Sequence, residues 1–113
     1  MSKRDASLLL EDMIEAANKI ERYTDGMSYE AFINDEKTID AVVRNFEIIG
    51  EAANRLGTDF HEDHDEIEWQ RIRGFRNRIV HHYFGIDYEI VWSIIKSDLD
   101  KLKRQLQSVL DRQ

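Results

Sequence analysis

The sequence predicts an all-α fold: an antiparallel four-helix bundle with a short extra helix after helix one. Three observations predict it. The 113 residues contain no proline and only five glycines, and they are rich in Glu, Lys, Arg, Leu, Ile and Ala, which enter helices at low cost. Apolar residues recur at steps of three and four over long stretches. The breaks between those stretches are short, which sets neighbouring helices antiparallel.

Helix one is expected from about Lys3 to Tyr23, where Leu9, Met13, Ala16, Ile20 and Tyr23 form one apolar stripe. Asp25-Gly26 breaks it as a turn. Ser28 then caps a short helical piece carrying Tyr29 and Phe32, too short to stand alone. Helix two starts at Asp35 as N-cap and stops at Gly57. Its stripe is Ile39, Val42, Phe46, Ile49, Ala53 and Leu56. Gly50 sits mid-helix, where glycine costs about 1 kcal/mol relative to alanine. With Ala52, Ala53 and Gly57 it makes a small surface suited to close helix approach, inside the bundle or across a dimer. Neighbouring Glu51 could reach an arginine of helix three or simply face solvent.

Thr58 to Glu66 reads as an acidic link. Its His61 and His64, with Glu62 and Asp63 nearby, could ligate a metal. No defined third ligand is supplied, so the expectation is a solvated loop and no metal. Helix three is expected from a capping box, Asp65 with Glu68, to about His82. Trp69, Ile72, Arg76, Ile79 and Tyr83 form its stripe, which Arg76 interrupts. A second row holds Ile72, Phe75, Ile79 and His82. Asp87 caps helix four, whose stripe is Trp92, Ile95, Leu99, Leu102, Leu106 and Val109. Lys101, Lys103 and Arg104 suit the helix dipole.

One domain spanning 1–113 follows from the length, with a modest core. There is no repeat, low-complexity tract or linker. The absence of cysteine excludes disulfide frameworks and thiol chemistry. The opening residues carry acids inside their first apolar stretch, unlike a signal peptide, and no apolar run approaches membrane-spanning length. A soluble cytoplasmic protein is expected. The formal net charge is -7, which opposes nonspecific nucleic-acid binding at long range but permits a small basic site. Such an acidic surface is mainly solubilising, although it could also steer a basic protein partner.

That basic site is the stretch Arg73 to Asp87. No Asp or Glu occurs from Trp69 to Ile86, while Arg71, Arg73, Arg76 and Arg78 all fall inside. Arg76 and Tyr83 are seven residues apart, about two helical turns, and would share a helical face. His81 lies five residues from Arg76, about 140° round an ideal helix. It joins them only if the helix ends or loosens there, or if two subunits share the site.

Such a cleft could cleave RNA without metal. One histidine would take the proton of a ribose 2′-hydroxyl and another would protonate the leaving 5′-oxygen. Arg76 would stabilise charge on the phosphate oxygens, and Asn77 would orient phosphate or imidazole. The product end would be a 2′,3′-cyclic phosphate. Blander readings stand beside each residue. In these, Arg76 is a buried ion-pair partner, for instance of Glu51, His81 a capping or core histidine, and Tyr83 a core ring. Arg71, Arg73 and Arg78 are then a solvated face. The combination in acid-free surroundings is what favours chemistry.

Arg76-Asn77, then His81, then Tyr83 resembles the Arg-x4-His-x-Tyr signature of HEPN-domain proteins, and the chain is similar to the HepT toxins of HepT/MntA toxin–antitoxin pairs. The resemblance extends over nearly the whole chain, including IIGEAANRL of helix two and RNRIVHHYFGID. It implies a homodimeric HEPN-like fold and a metal-independent ribonuclease toxin with Arg76 and His81 as catalytic residues. Asn77, Tyr83 and His82 would support them, and Arg73 and Arg78 would bind RNA, either tRNA or mRNA. It also implies an MntA-like nucleotidyltransferase antitoxin that transfers AMP onto Tyr83, and no cofactor. His82 also fits the looser family spacing; His81 is preferred because it keeps the gap before Tyr83. A different class remains open: a non-catalytic helical module that docks a nucleotidyltransferase or holds a nucleotide through Arg76 and Tyr83.

Overall fold

A computed structural model describes residues 1–75, 79–81 and 85–113, with Val80 and His81 described along the backbone. It is the expected all-α bundle. The elements are α1 (Lys3–Thr24), α2 (Tyr29–Ile33), α3 (Glu36–Asp63), α4 (Trp69–Arg73), β1 (Val80–His81), β2 (Gly85–Ile86), α5 (Tyr88–Ser93), a π-helical turn (Ile94–Asp98) and α6 (Leu99–Asp111). α1 packs along α3 and α6, α4 packs on α3, and α2 also leans on α3. No helix among the described residues is long and apolar enough to cross a membrane.

The helix starts follow local chemistry. Ser28 accepts from the Ala31 N–H, Asp35 from Thr38 and Asp87 from Ile90, at 3.1, 3.0 and 3.1 Å. Each satisfies an amide that the first turn leaves without a partner. Ser2 does the same for α1 through Asp5.

The six stripe residues expected in helix two are all buried, and they join Leu10, Met13, Ile20 and Leu106 in one core cluster. Two stripes need correction. Tyr23 is 38% exposed, and the buried face of α1 ends instead on Thr24, whose hydroxyl donates to the Ile20 carbonyl at 2.8 Å. Helix four is not one continuous α-helix. At Ile94–Asp98 the Leu99 N–H reaches back five residues to the Ile94 carbonyl. This step keeps Val91 and Ile94 on the same buried side as Leu99, Leu102 and Leu106. Trp92 therefore leaves the central core and holds α2, packing on Phe32 at 5.2 Å between ring centres and on Tyr29 at 6.1 Å.

Candidate functional site

Three connections position the segment that follows α4. The first is at Gly57, where φ is +86° and the helical run breaks as expected. The chain then resumes helix to Asp63, which corrects the expected loop from Thr58. The reason is packing: His61 stacks on Trp69 at 4.5 Å with the rings 12° apart, and Phe60 meets Trp69 edge-on. His61 Nε2 donates to the Ala53 carbonyl at 2.7 Å, and Trp69 Nε1 donates to the His64 carbonyl at 2.9 Å. His61 and His64 are therefore a structural clasp rather than a solvated loop.

The second connection is α4 itself. The expected capping box does not form. Glu68 stands at the N-cap without a side-chain capping hydrogen bond, and α4 opens on the buried Trp69. Arg71 is held by Asp98 at 2.6 Å and Glu68 at 3.5 Å, tying α4 to the π turn. It is thus an ion-pair residue rather than part of a free basic face, and a distant Asp98 was not legible as its partner. Ile72 and Phe75 are buried, and Phe75 meets Phe46 of α3 edge-on at 5.2 Å.

The third connection is a short hairpin. Helix three was expected to reach His82. Instead Val80–His81 is extended and pairs antiparallel with Gly85–Ile86, with Val80 opposite Ile86 and His81 opposite Gly85. Gly85 takes φ +79°, which glycine adopts without strain. The Asp87 N–H then donates to the Ile79 carbonyl at 2.7 Å. The ladder satisfies backbone groups that a continued helix would have used.

Arg76, Asn77, Arg78, His82 and Tyr83 lie outside the described residues. The buried side chains of Phe75 and Ile79 flank 76–78, and the His81–Gly85 pair flanks 82–84. His81 is placed by its backbone on β1. The extended backbone at Val80–His81 corrects the two-turn argument linking Arg76 to Tyr83, because residue count sets direction only along an unbroken helix. It also meets the condition set for His81, that the helix end before it.

Arg73 is described and exposed. With Phe46, Glu47, Gly50, Glu51 and Asn54 of α3 it lines a groove of about 270 Å³. The side chains of Arg73, Glu47, Glu51 and Asn54 make no hydrogen bond or ion pair among the described residues. Gly50 faces α4: a Cβ there would meet the Ile72 carbonyl at 3.4 Å, ordinary contact. The close approach at Gly50 is therefore intramolecular. Asn54 was not singled out from sequence, although its position three after Glu51 places both on one helical face.

The framework defines a class first: an all-α bundle that carries an acid-free, arginine- and histidine-bearing segment between core anchors. The family follows from comparison. Residues 13–109 match the family described as ribonuclease HepT-like, and the chain belongs to that HepT-like ribonuclease family. It is 41% identical over 109 residues to a "Putative RNase" of Methanocaldococcus jannaschii, covering 96% of this chain and 100% of that protein. It is 38% identical over 107 residues to a "Probable ribonuclease HepT" of Thermococcus cleftensis, covering 95% and 97%. A "Putative RNase" of Caldanaerobacter subterraneus is 34% identical over 104 residues, covering 92% and 93%. No solved structure matches the chain significantly.

Proposed function

We propose that this protein is a metal-independent endoribonuclease toxin working in the cytoplasm as a single-domain homodimer. Membership of the HepT-like ribonuclease family carries the reading, and the acid-free run around Arg76 and His81 supplies its chemistry. A histidine, His81 of one protomer or the other, takes the 2′-hydroxyl proton. The 2′-oxygen attacks phosphorus, the bond to the 5′-oxygen breaks, and that oxygen takes a proton from a second imidazole. The products are a 2′,3′-cyclic phosphate and a 5′-hydroxyl. Arg76 balances charge on the phosphate oxygens. Asn77, His82 and Tyr83 orient the reacting groups, while Arg73 and Arg78 bind the RNA.

The toxin is silenced by an MntA-like nucleotidyltransferase. The Tyr83 hydroxyl attacks the α-phosphorus of ATP, pyrophosphate leaves, and the attached AMP brings bulk and negative charge to a phosphate site. The end of helix before His81 supports a histidine freed from helical geometry. That Arg73 makes no bond among the described residues supports a role in contacting substrate.

The test is cleavage of labelled tRNA and mRNA by the purified, unmodified protein in EDTA. Cyclic-phosphate ends are expected, with loss of cutting in His81→Ala. No cutting, or cutting undiminished in that variant, rejects the reading in favour of a non-catalytic binding module.

A further inference from the structure

The groove between α3 and α4 has a composition that a phosphate site would not choose. Glu47 and Glu51 put two carboxylates in it, and these repel a phosphate. Arg73 and Asn54 add donors, Asn54 adds an acceptor, and the buried Phe46 also lines it. The polar side chains make no bonds among the described residues, so their hydrogen-bonding capacity is open to a ligand.

Gly50 makes the same point from the opposite direction. Glycine weakens a helix interior, and space for a methyl group exists there, since a Cβ would sit 3.4 Å from the Ile72 carbonyl. Packing between α3 and α4 therefore does not require the glycine. Position 50 lies between Glu47 and Asn54 on the row of steps three and four and itself lines the groove, so a longer side chain there would compete for the groove's space. The bare position keeps the groove open.

We infer that this groove is a base-reading subsite that takes a guanine of the RNA substrate; the inference rests on the ribonuclease reading for its substrate class. Guanine is the standard base that offers two adjacent donors, N1–H and the 2-amino group, beside the acceptors O6 and N7. A carboxylate such as Glu51 can accept from the adjacent N1–H and 2-amino donors, and Arg73 can donate to O6 and N7, as arginine does to guanine in nucleic-acid readout; Asn54 adds a further donor and acceptor. Adenine and uracil would leave one carboxylate oxygen without a donor. Single-stranded RNA is read in this manner, by unstacked bases bonded along their edges.

The test uses the full chain and the four nucleoside monophosphates, followed by amide NMR and calorimetry. GMP is expected to move the Gly50 and Asn54 amides and to bind about tenfold or more tightly than AMP or UMP, the size of one well-paired base contact. Glu51→Gln should erase most of that advantage, and Gly50→Leu should abolish binding. Because Gly50→Leu would also press on the packing of α4, the exposed, near-isosteric Glu51→Gln is the deciding variant. Its fold is checked by thermal melting. Equal affinity for GMP and AMP, or shifts confined to another face, overturns the inference. A parallel arm maps cut sites in a mixed-sequence RNA. If GMP seats in the groove as described but no RNA is cut, the ribonuclease reading fails while the guanine site stands. If RNA is cut but GMP does not seat there, the guanine site alone falls.

Discussion

His61 reaches back eight residues to donate its Nε2 hydrogen to the carbonyl of Ala53, at 2.7 Å, while its ring lies flat on Trp69. One side chain thus bridges the Gly57 break and seats the first residue of α4. Replacing His61 with alanine removes a hydrogen bond worth about 1 kcal/mol and a ring contact worth about 0.5–1.5 kcal/mol. A loss of about 2 kcal/mol in unfolding free energy is expected in urea titration. His61→Phe keeps the ring contact and should lose about 1 kcal/mol.

Gly50 offers the opposite sign. Its Cβ position is free to the limit of ordinary contact, so Gly50→Ala should raise stability by about 0.5–1 kcal/mol through helix propensity. Denaturant midpoints for the two proteins measure this. A clear destabilisation would mean that the Ile72 carbonyl tolerates no methyl group, and that packing alone accounts for the glycine.

Acid should weaken the fold through two capping and bridging carboxyls. The Thr38 backbone N–H bonded to Asp35 holds that carboxyl below its ordinary value. Glu66 is held low first by its own backbone N–H and then by Arg112. Both bind protons less readily when folded than when unfolded. Their contribution is present above the ordinary carboxylate range and is lost as pH falls through their lowered folded values. The melting temperature should therefore fall on acidification from about pH 5 to about pH 3. The slope should be shallower in a protein carrying Asp35→Asn with Glu66→Gln, since asparagine still caps α3 without titrating.

The proposed chemistry predicts a loss of cleavage of about 10²–10⁴-fold in His81→Ala, the range for a removed acid–base group. Arg76→Ala should fall comparably through lost charge stabilisation, about 10²–10³-fold. Both are measured by single-turnover cutting of labelled RNA, with melting curves to check the fold. Tyr83→Phe lacks the acceptor hydroxyl. Incubated with the cognate nucleotidyltransferase and ATP, it should gain no AMP by intact-mass spectrometry. AMP appearing on other residues would reject Tyr83 as the acceptor.

Much of the fold was legible because its signals are local. Ser28, Asp35 and Asp87 each act on an amide three residues away. The α3 stripe needed only helical periodicity, and all six of its residues are buried. The candidate segment was legible as composition: an acid-free run in an acidic chain. Its backbone was not. The helical reading to His82 failed because Ile79 and Asp87 bond across the hairpin, and no local preference announces that pairing. Glu51 was noticed beside Gly50, yet Asn54 and Arg73 became its companions only once α4 lay across α3.

The order of residues by itself determined the helical class, the starts of the capped helices and the buried face of α3, because each depends on contacts within one or two helical turns. Tertiary packing decided the rest. It carried helix past Gly57 by seating His61 on Trp69, inserted a π turn so that Val91 and Leu99 share one core, and ended helix before His81 by closing a backbone ladder. Those outcomes draw on groups brought together by the whole bundle, and their energies exist only once the distant partners have met.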